Sequence, residues 1–265
     1  MFIRGSESRS CMTRQFSSYV AIGDSFTEGV GDELPDGRLR GWADQVALGL
    51  ALASPTPILY ANLAIRGRLL APIAGEQLRA AVALRPELMS INGGGNDIMR
   101  PKVSLESITD QLLAAVDTAT TNGIHVLLLS GGNPSKHLPF GSLMATRGDR
   151  LAHEVMSRAS KDNVTFVNNW ADQELTKLQY WSVDKLHLNS RGHARVASNV
   201  LSALEIPVPD FAADQGPADD ARPRTAAYWR EYVLPWIGRR LTGRSSGDNR
   251  EPKSATLQPV VVEGR

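Results

Sequence analysis

The chain has 265 residues, 42% of them hydrophobic, a formal net charge of +1 and a single cysteine, Cys11. That apolar share builds a full core without disulfides or metal, and one cysteine excludes an intramolecular disulfide or a cysteine-based metal cluster. A near-neutral charge gives no global drive toward nucleic acid or an anionic membrane.

Residues 1–17 carry Arg4, Glu7, Arg9 and Arg14 with no apolar stretch, so they read as a flexible leader rather than a secretory signal. Met12 is an alternative start to Met1, and the expected location is cytoplasmic. No apolar run approaches the ~20 residues needed to span a bilayer. The first strand is expected over Tyr19–Gly23, stopping at Gly23-Asp24-Ser25. Trp42–Ala53 has helical spacing, Ile58–Leu63 reads as a second strand, and Gly75–Leu84 as a helix stopped near Pro86. Leu88–Asn92 is a third strand ending in Gly93-Gly94-Gly95. Ser104 is placed to cap a helix that closes at Asn122-Gly123. Ile124–Ser130 is a fourth strand, Leu143–Ser160 a helix and Val164–Val167 a short fifth strand. Ser190 is expected to cap a last helix through Leu204.

Strands that are continuous apolar runs separated by helices imply a parallel sheet covered on both faces. The expected fold is therefore α/β, with a core domain over residues 18–206. Pro207-Val208-Pro209 starts a linker, and residues 225–242 form a basic segment with Tyr228, Trp229, Tyr232 and Trp236. That segment either docks on the core or meets a partner or membrane surface. Residues 243–265 are polar and expected to be disordered.

The chemistry-bearing residues fall just after strands, on the edge where open α/β sheets hold ligands. Ser25 follows a turn-forming glycine; it reads either as a nucleophile or as a helix N-cap. His187 lies three residues after Asp184, spacing that lets a carboxylate orient an imidazole base. The same pair also reads as two metal ligands lacking a third, or as a capped surface turn. Asn96, in Gly93-Gly94-Gly95-Asn96-Asp97, offers an amide donor to an oxyanion; a phosphate-cradling loop is the rival, without the usual Gly-rich frame. Gly67 is either a turn glycine or a backbone donor. Asp24 and Asp97 read as loop-stabilising side chains, and His125, His137, His153 and His193 as structural or solvated. Leu34, Phe140 and Trp181 cannot be placed relative to a pocket.

Gly23-Asp24-Ser25-Phe26, Gly67, Gly94-Gly95-Asn96-Asp97 and Asp184-x-x-His187 occur in the order of the four blocks of the SGNH, or GDSL-type, hydrolase superfamily, and residues 19 to 204 resemble that family. Phe26 stands where the name motif has leucine. The resemblance implies a three-layer α/β/α sandwich of flavodoxin-like type, with a central parallel sheet of about five strands. It implies Ser25 as nucleophile, His187 as base and Asp184 as its partner. Ser25, Gly67 and Asn96 would form the oxyanion hole, with no metal or organic cofactor. The implied function is a lipase-like serine esterase acting on a small-molecule ester (a small acyl ester, a lipid or an O-acetylated sugar) through an acyl-enzyme. Transfer of the acyl group to a sugar or other alcohol, or a non-catalytic binding module, are the alternatives. The segment after residue 206 lies outside the family pattern and looks like extensions on actinobacterial members.

Overall fold

A computed structural model describes residues 15–100, 102–138, 141–159, 161–211 and 247–262. The basic aromatic segment, Cys11, Met12 and Phe140 lie outside the described residues.

A six-stranded sheet runs in the order β5-β4-β3-β1-β2-β6. Its strands are β1 (Ser18–Ile22), β2 (Leu59–Asn62), β3 (Leu88–Asn92), β4 (His125–Leu129), β5 (Val164–Val167) and β6 (Ser254–Pro259). The first five pair in parallel and β6 pairs antiparallel with β2. Along β1 the side chains alternate as a pleat requires. Tyr19 and Ala21 enter one apolar layer with helices α2 (Trp42–Ala53) and α8 (Ser190–Ala203). Val20 and Ile22 enter the other, with α3 (Leu70–Pro72), α4 (Leu78–Ala83), α6 (Leu105–Thr121) and α7 (Gly141–Arg158). Both faces being covered makes this the expected three-layer sandwich.

The order 2-1-3-4-5 matters for function. From β1 the chain crosses to β2 on one side, then returns to β3 on the other, so neighbouring connections diverge above β1 and β3. That divergence opens a crevice at the carboxyl ends of these strands. One-turn helices follow both: α1 (Ser25–Glu28) after β1 and α5 (Gly95–Ile98) after β3.

The structure corrects several sequence expectations. Residues 243–265 are not wholly disordered, because β6 forms there and covers the free edge of β2. Its side chains are half or fully exposed, so the segment carries no hydrophobic period to read. The folded unit also extends past 206: Phe211 is buried, and Val260 and Val262 pack against the same layer. The helix expected over Gly75–Leu84 starts earlier. Pro72 sits in α3, where proline is tolerated in a first turn, and a π-helical stretch, Ile73–Gln77, joins α3 to α4. Asn189, not Ser190, caps α8, accepting from the Gly192 amide. Ser104 caps α6 as expected, accepting from Ser107.

Candidate active site

Ser25 owes its position to three local features. Gly23 closes β1 where a Cβ would lie 2.4 Å from Thr27 Oγ1 and 3.1 Å from the Asn92 carbonyl, so only glycine lets β1 and β3 approach here. Gln77 holds Gly23 from both sides, accepting from its N–H at 2.8 Å and donating to its carbonyl at 3.0 Å. Asp24 is the N-cap of α1, its Oδ1 accepting from the Phe26 amide at 3.1 Å. The cap role considered for Ser25 is thus taken by Asp24, and the Ser25 hydroxyl turns to His187 instead.

His187 arrives on a turn between β5 and α8. The Ser182 amide donates to the His187 carbonyl at 2.9 Å, and Lys185 takes a left-handed φ of 59° between them. Asp184 Oδ1 accepts from Ser182 Oγ (2.7 Å), the Leu186 amide (2.9 Å) and the His187 amide (3.0 Å). Its Oδ2 lies 2.6 Å from His187 Nδ1. A carboxylate at that distance accepts the Nδ1 proton, which leaves Nε2 with a lone pair. Nε2 stands 3.1 Å from Ser25 Oγ. The turn reaches Ser25 because Gly31 lets it close: at φ 98° a Cβ there would lie 2.0 Å from the Leu188 carbonyl oxygen.

Burial alone would raise the Asp184 carboxyl, but the His187 charge and the donated hydrogen bonds hold it well below the usual carboxylate range. Burial likewise disfavours a charged His187, yet the Asp184 carboxylate outweighs it and raises the imidazole. Each partner favours the other's charged form, as expected when an imidazolium is to be stabilised transiently.

Asn96 and Gly67 line the same cavity as Ser25 and His187. The Gly67 and Ser25 amides donate to no acceptor among the described residues, leaving both free to bind a ligand. Asn96 is more constrained. Its Nδ2 donates to Asp24 Oδ2 at 3.1 Å and to the Arg68 carbonyl at 3.0 Å, so donating to an oxyanion requires sharing or exchanging one of these bonds. Desolvation raises Asp24 to about 6 against the lowering effect of the Phe26 amide. Asp97 Oδ2 accepts from the Leu70 amide at 2.9 Å, fixing α5 against α3. Both aspartates therefore serve as the loop ties expected of them, with Asp24 adding a link to Asn96.

Glu28 and Arg66 form a clamp that no sequence spacing announces. Glu28 Oε2 accepts from the Arg66 amide at 2.6 Å, and Oε1 accepts from Arg66 Nη2 at 2.6 Å. The clamp fixes the residue next to Gly67 against the end of α1. Opposite charges 38 positions apart carry no local signal; only the crossover from β2 brings them together.

Three of the remaining histidines are held by partners outside the Asp184–His187–Ser25 file. His193 is fully buried between Trp42 and Val30, accepting from the Trp42 amide at Nδ1, and burial depresses it to about 4. His125 pairs with Thr165 and His137 with the Thr176 carbonyl. Among the described residues no three His, Cys, Asp or Glu side chains are placed to hold a metal ion. Trp181 lines the cavity, whereas Leu34 is not among its walls. No described helix is long and apolar enough to cross a membrane.

The model of the GDSL-like Lipase/Acylhydrolase family matches residues 21–195. No curated protein sequence matches the chain. Among solved structures, the lipase Lip_vut3 from a goat rumen metagenome is 17% identical, with a TM-score of 0.61 over 73% of this chain and 99% of that one. Axe2, an acetylxylan esterase from Geobacillus stearothermophilus, is 20% identical, with a TM-score of 0.59 over 75% of this chain and 99% of its own. TesA is 21% identical, with a TM-score of 0.55 over 71% and 98%. At these identities the three share the fold.

Proposed function

This chain belongs to the GDSL-like lipase/acylhydrolase family, and from that premise we propose that it is a serine esterase working through an acyl-enzyme. The observation that carries this reading is the file of three groups: Asp184 Oδ2 2.6 Å from His187 Nδ1, and His187 Nε2 3.1 Å from Ser25 Oγ. Nε2 takes the Ser25 proton as Oγ attacks the ester carbonyl carbon. The carbonyl π electrons move to oxygen, which accepts from the Ser25 and Gly67 amides and from Asn96 Nδ2 once that group shares or exchanges one of its present bonds. Collapse of that adduct breaks the C–O bond to the alcohol, and the Nε2 proton leaves with it. Water then repeats the sequence on the acyl-enzyme, giving a carboxylic acid and restoring Ser25. Asp184 stays ionised throughout, holding the tautomer and stabilising the imidazolium. A cytoplasmic site of action is our accompanying reading.

Ser25→Ala tests the proposal. Hydrolysis of a short p-nitrophenyl ester should fall by at least about 10⁴-fold, as expected when a triad nucleophile is removed. Labelling by a fluorophosphonate should vanish in parallel. Full activity in this variant would remove Ser25 from the mechanism.

A further inference from the structure

The cavity at Ser25 does not end at the polar groups. It continues between the sheet and the α6–α7 layer, where its walls are Leu112 on α6, Leu128 on β4, Leu151 and Val155 on α7, Phe166 on β5 and Trp170. Most of these are core side chains: Leu112 is 3% exposed, Leu128 1% and Val155 4%. Mouth and recess together enclose about 210 Å³, many-fold more than the ~10–15 Å³ that one water requires. It is therefore no ordinary packing defect. An apolar recess of this kind offers water no partners and leaves its lining short of contacts. Ser25, Asn96 and His187 stand at the polar mouth, and of the other polar lining residues Ser130 is tied up by accepting from the Trp170 amide and Asn92 by donating to the Leu129 carbonyl.

Direction follows from the sheet. Ser25 stands above β1, and Phe166 lies on β5, three strands away in the order β5-β4-β3-β1. At about 4.8 Å per strand the recess reaches roughly 14 Å from the nucleophile. That is the reach of a medium-length alkyl chain, far beyond an acetyl group.

We propose that this recess binds the acyl chain of the substrate, making the protein selective for esters of medium-length, unbranched fatty acids. The inference rests on Ser25 being the nucleophile. The acyl chain, not the alcohol, is assigned to it because the acyl group stays bonded to Ser25 through both half-reactions. The alcohol must leave and water must enter between them, which a recess walled by core side chains hinders.

Matched esters separate the two halves of the substrate. Each buried methylene contributes about fourfold to kcat/KM, so methyl octanoate should be cleaved at least about 100-fold more efficiently than methyl acetate. Octyl acetate should gain less than tenfold. A preference for octyl acetate over methyl octanoate would assign the recess to the alcohol. Equal rates for octanoate and acetate, or a preference for acetate, would overturn the acyl-chain proposal while leaving the esterase intact. In Ala152→Phe, which fills the recess from α7, the octanoate-to-acetate ratio should fall by about tenfold or more; an unchanged ratio counts against the proposal. Val155→Ala, which enlarges the recess, should move the optimum to a longer chain. Decanoate titrated into the wild-type protein, followed by tryptophan fluorescence, tests the recess without catalysis. Saturable decanoate binding without hydrolysis of any ester would uphold the recess and refute the esterase. Ester hydrolysis without decanoate binding or chain-length preference would do the reverse.

Discussion

Replacing Asp184 by Asn is the most discriminating single change in the triad, because it separates chemistry from folding. In the native site Oδ1 accepts from Ser182 Oγ and from the Leu186 and His187 amides, while Oδ2 accepts from His187 Nδ1. An asparagine keeps Oδ1 and the geometry of the three donors to it. It places an NH₂ against Nδ1, however, so Nδ1 must become the acceptor and the proton moves to Nε2. Nε2 then donates toward Ser25 and cannot take its proton. The wrong tautomer costs about 10⁴ in kcat in triads of this design, or about 5.5 kcal/mol. Asp184→Ala should cost similar activity and stability as well, since each of the four donors left unpaired costs about 1–3 kcal/mol before the discount for a site open to water. The pH profile adds a second readout. In the wild type, activity rises with pH as His187 loses its proton, and the limb lies above the ordinary ~6.5 because Asp184 raises the imidazole. Without that charge, burial dominates and the residual activity should persist to lower pH. The assay is product quantification by chromatography across pH 5–9, beside thermal melts of each variant. Activity of Asp184→Asn within tenfold of wild type, with an unchanged melt, would refute the reasoning, as would a limb displaced upward.

Three further outcomes are expected. Asn96→Ala should lower kcat by about 10²–10³ with a smaller change in KM, the cost of one oxyanion donor; a loss below tenfold would leave the oxyanion to the Ser25 and Gly67 amides alone. Asp24 is raised to about 6 by burial, so its contribution to stability is fully present below its unfolded value of ~3.9 and is lost as pH rises through 6, by about 3 kcal/mol in all. The melting temperature of Asp24→Asn relative to wild type should therefore increase between pH 4 and 8, and a constant difference would contradict the burial effect. Removing residues 247–265 strips β6 from β2 and the Lys253 ammonium from the Glu28 and Leu39 carbonyls and Asp44. Melting should fall by about 5–15 °C, and size-exclusion chromatography should show self-association through the exposed edge.

What the sequence made legible follows from where signals are local. Leu88–Asn92 and Val164–Val167 are strands with the boundaries expected from the sequence: β3 is buried at all five positions, and β5, at the edge and only partly buried, is still marked by its β-branched and aromatic residues. Ser25, Gly67, Asn96, Asp184 and His187 stood in recognisable short motifs; Ser25, Gly67, Asn96 and His187 line one cavity, and Asp184 joins them by its bond to His187. The edge strand β6 was hidden for the opposite reason: its exposed faces need no hydrophobic period. The ties that hold the site, Glu28 to Arg66, Gln77 to Gly23 and Asp24 to Asn96, were equally invisible. They join residues 38, 54 and 72 positions apart, and only the crossovers around β1 bring them together.

The pairing of Leu59 with Pro259 has a consequence for how the protein is made. During synthesis every other described strand leaves the ribosome before β6. The parallel sheet can thus assemble while β2 still shows an unpaired edge, and the nascent chain passes through an interval in which that edge invites pairing with neighbouring chains. The final strand ends this interval, and Lys253, bonding to the Glu28 carbonyl, fastens it beside the serine turn. Maturation of the site and protection from aggregation thereby become one late event on the same short segment.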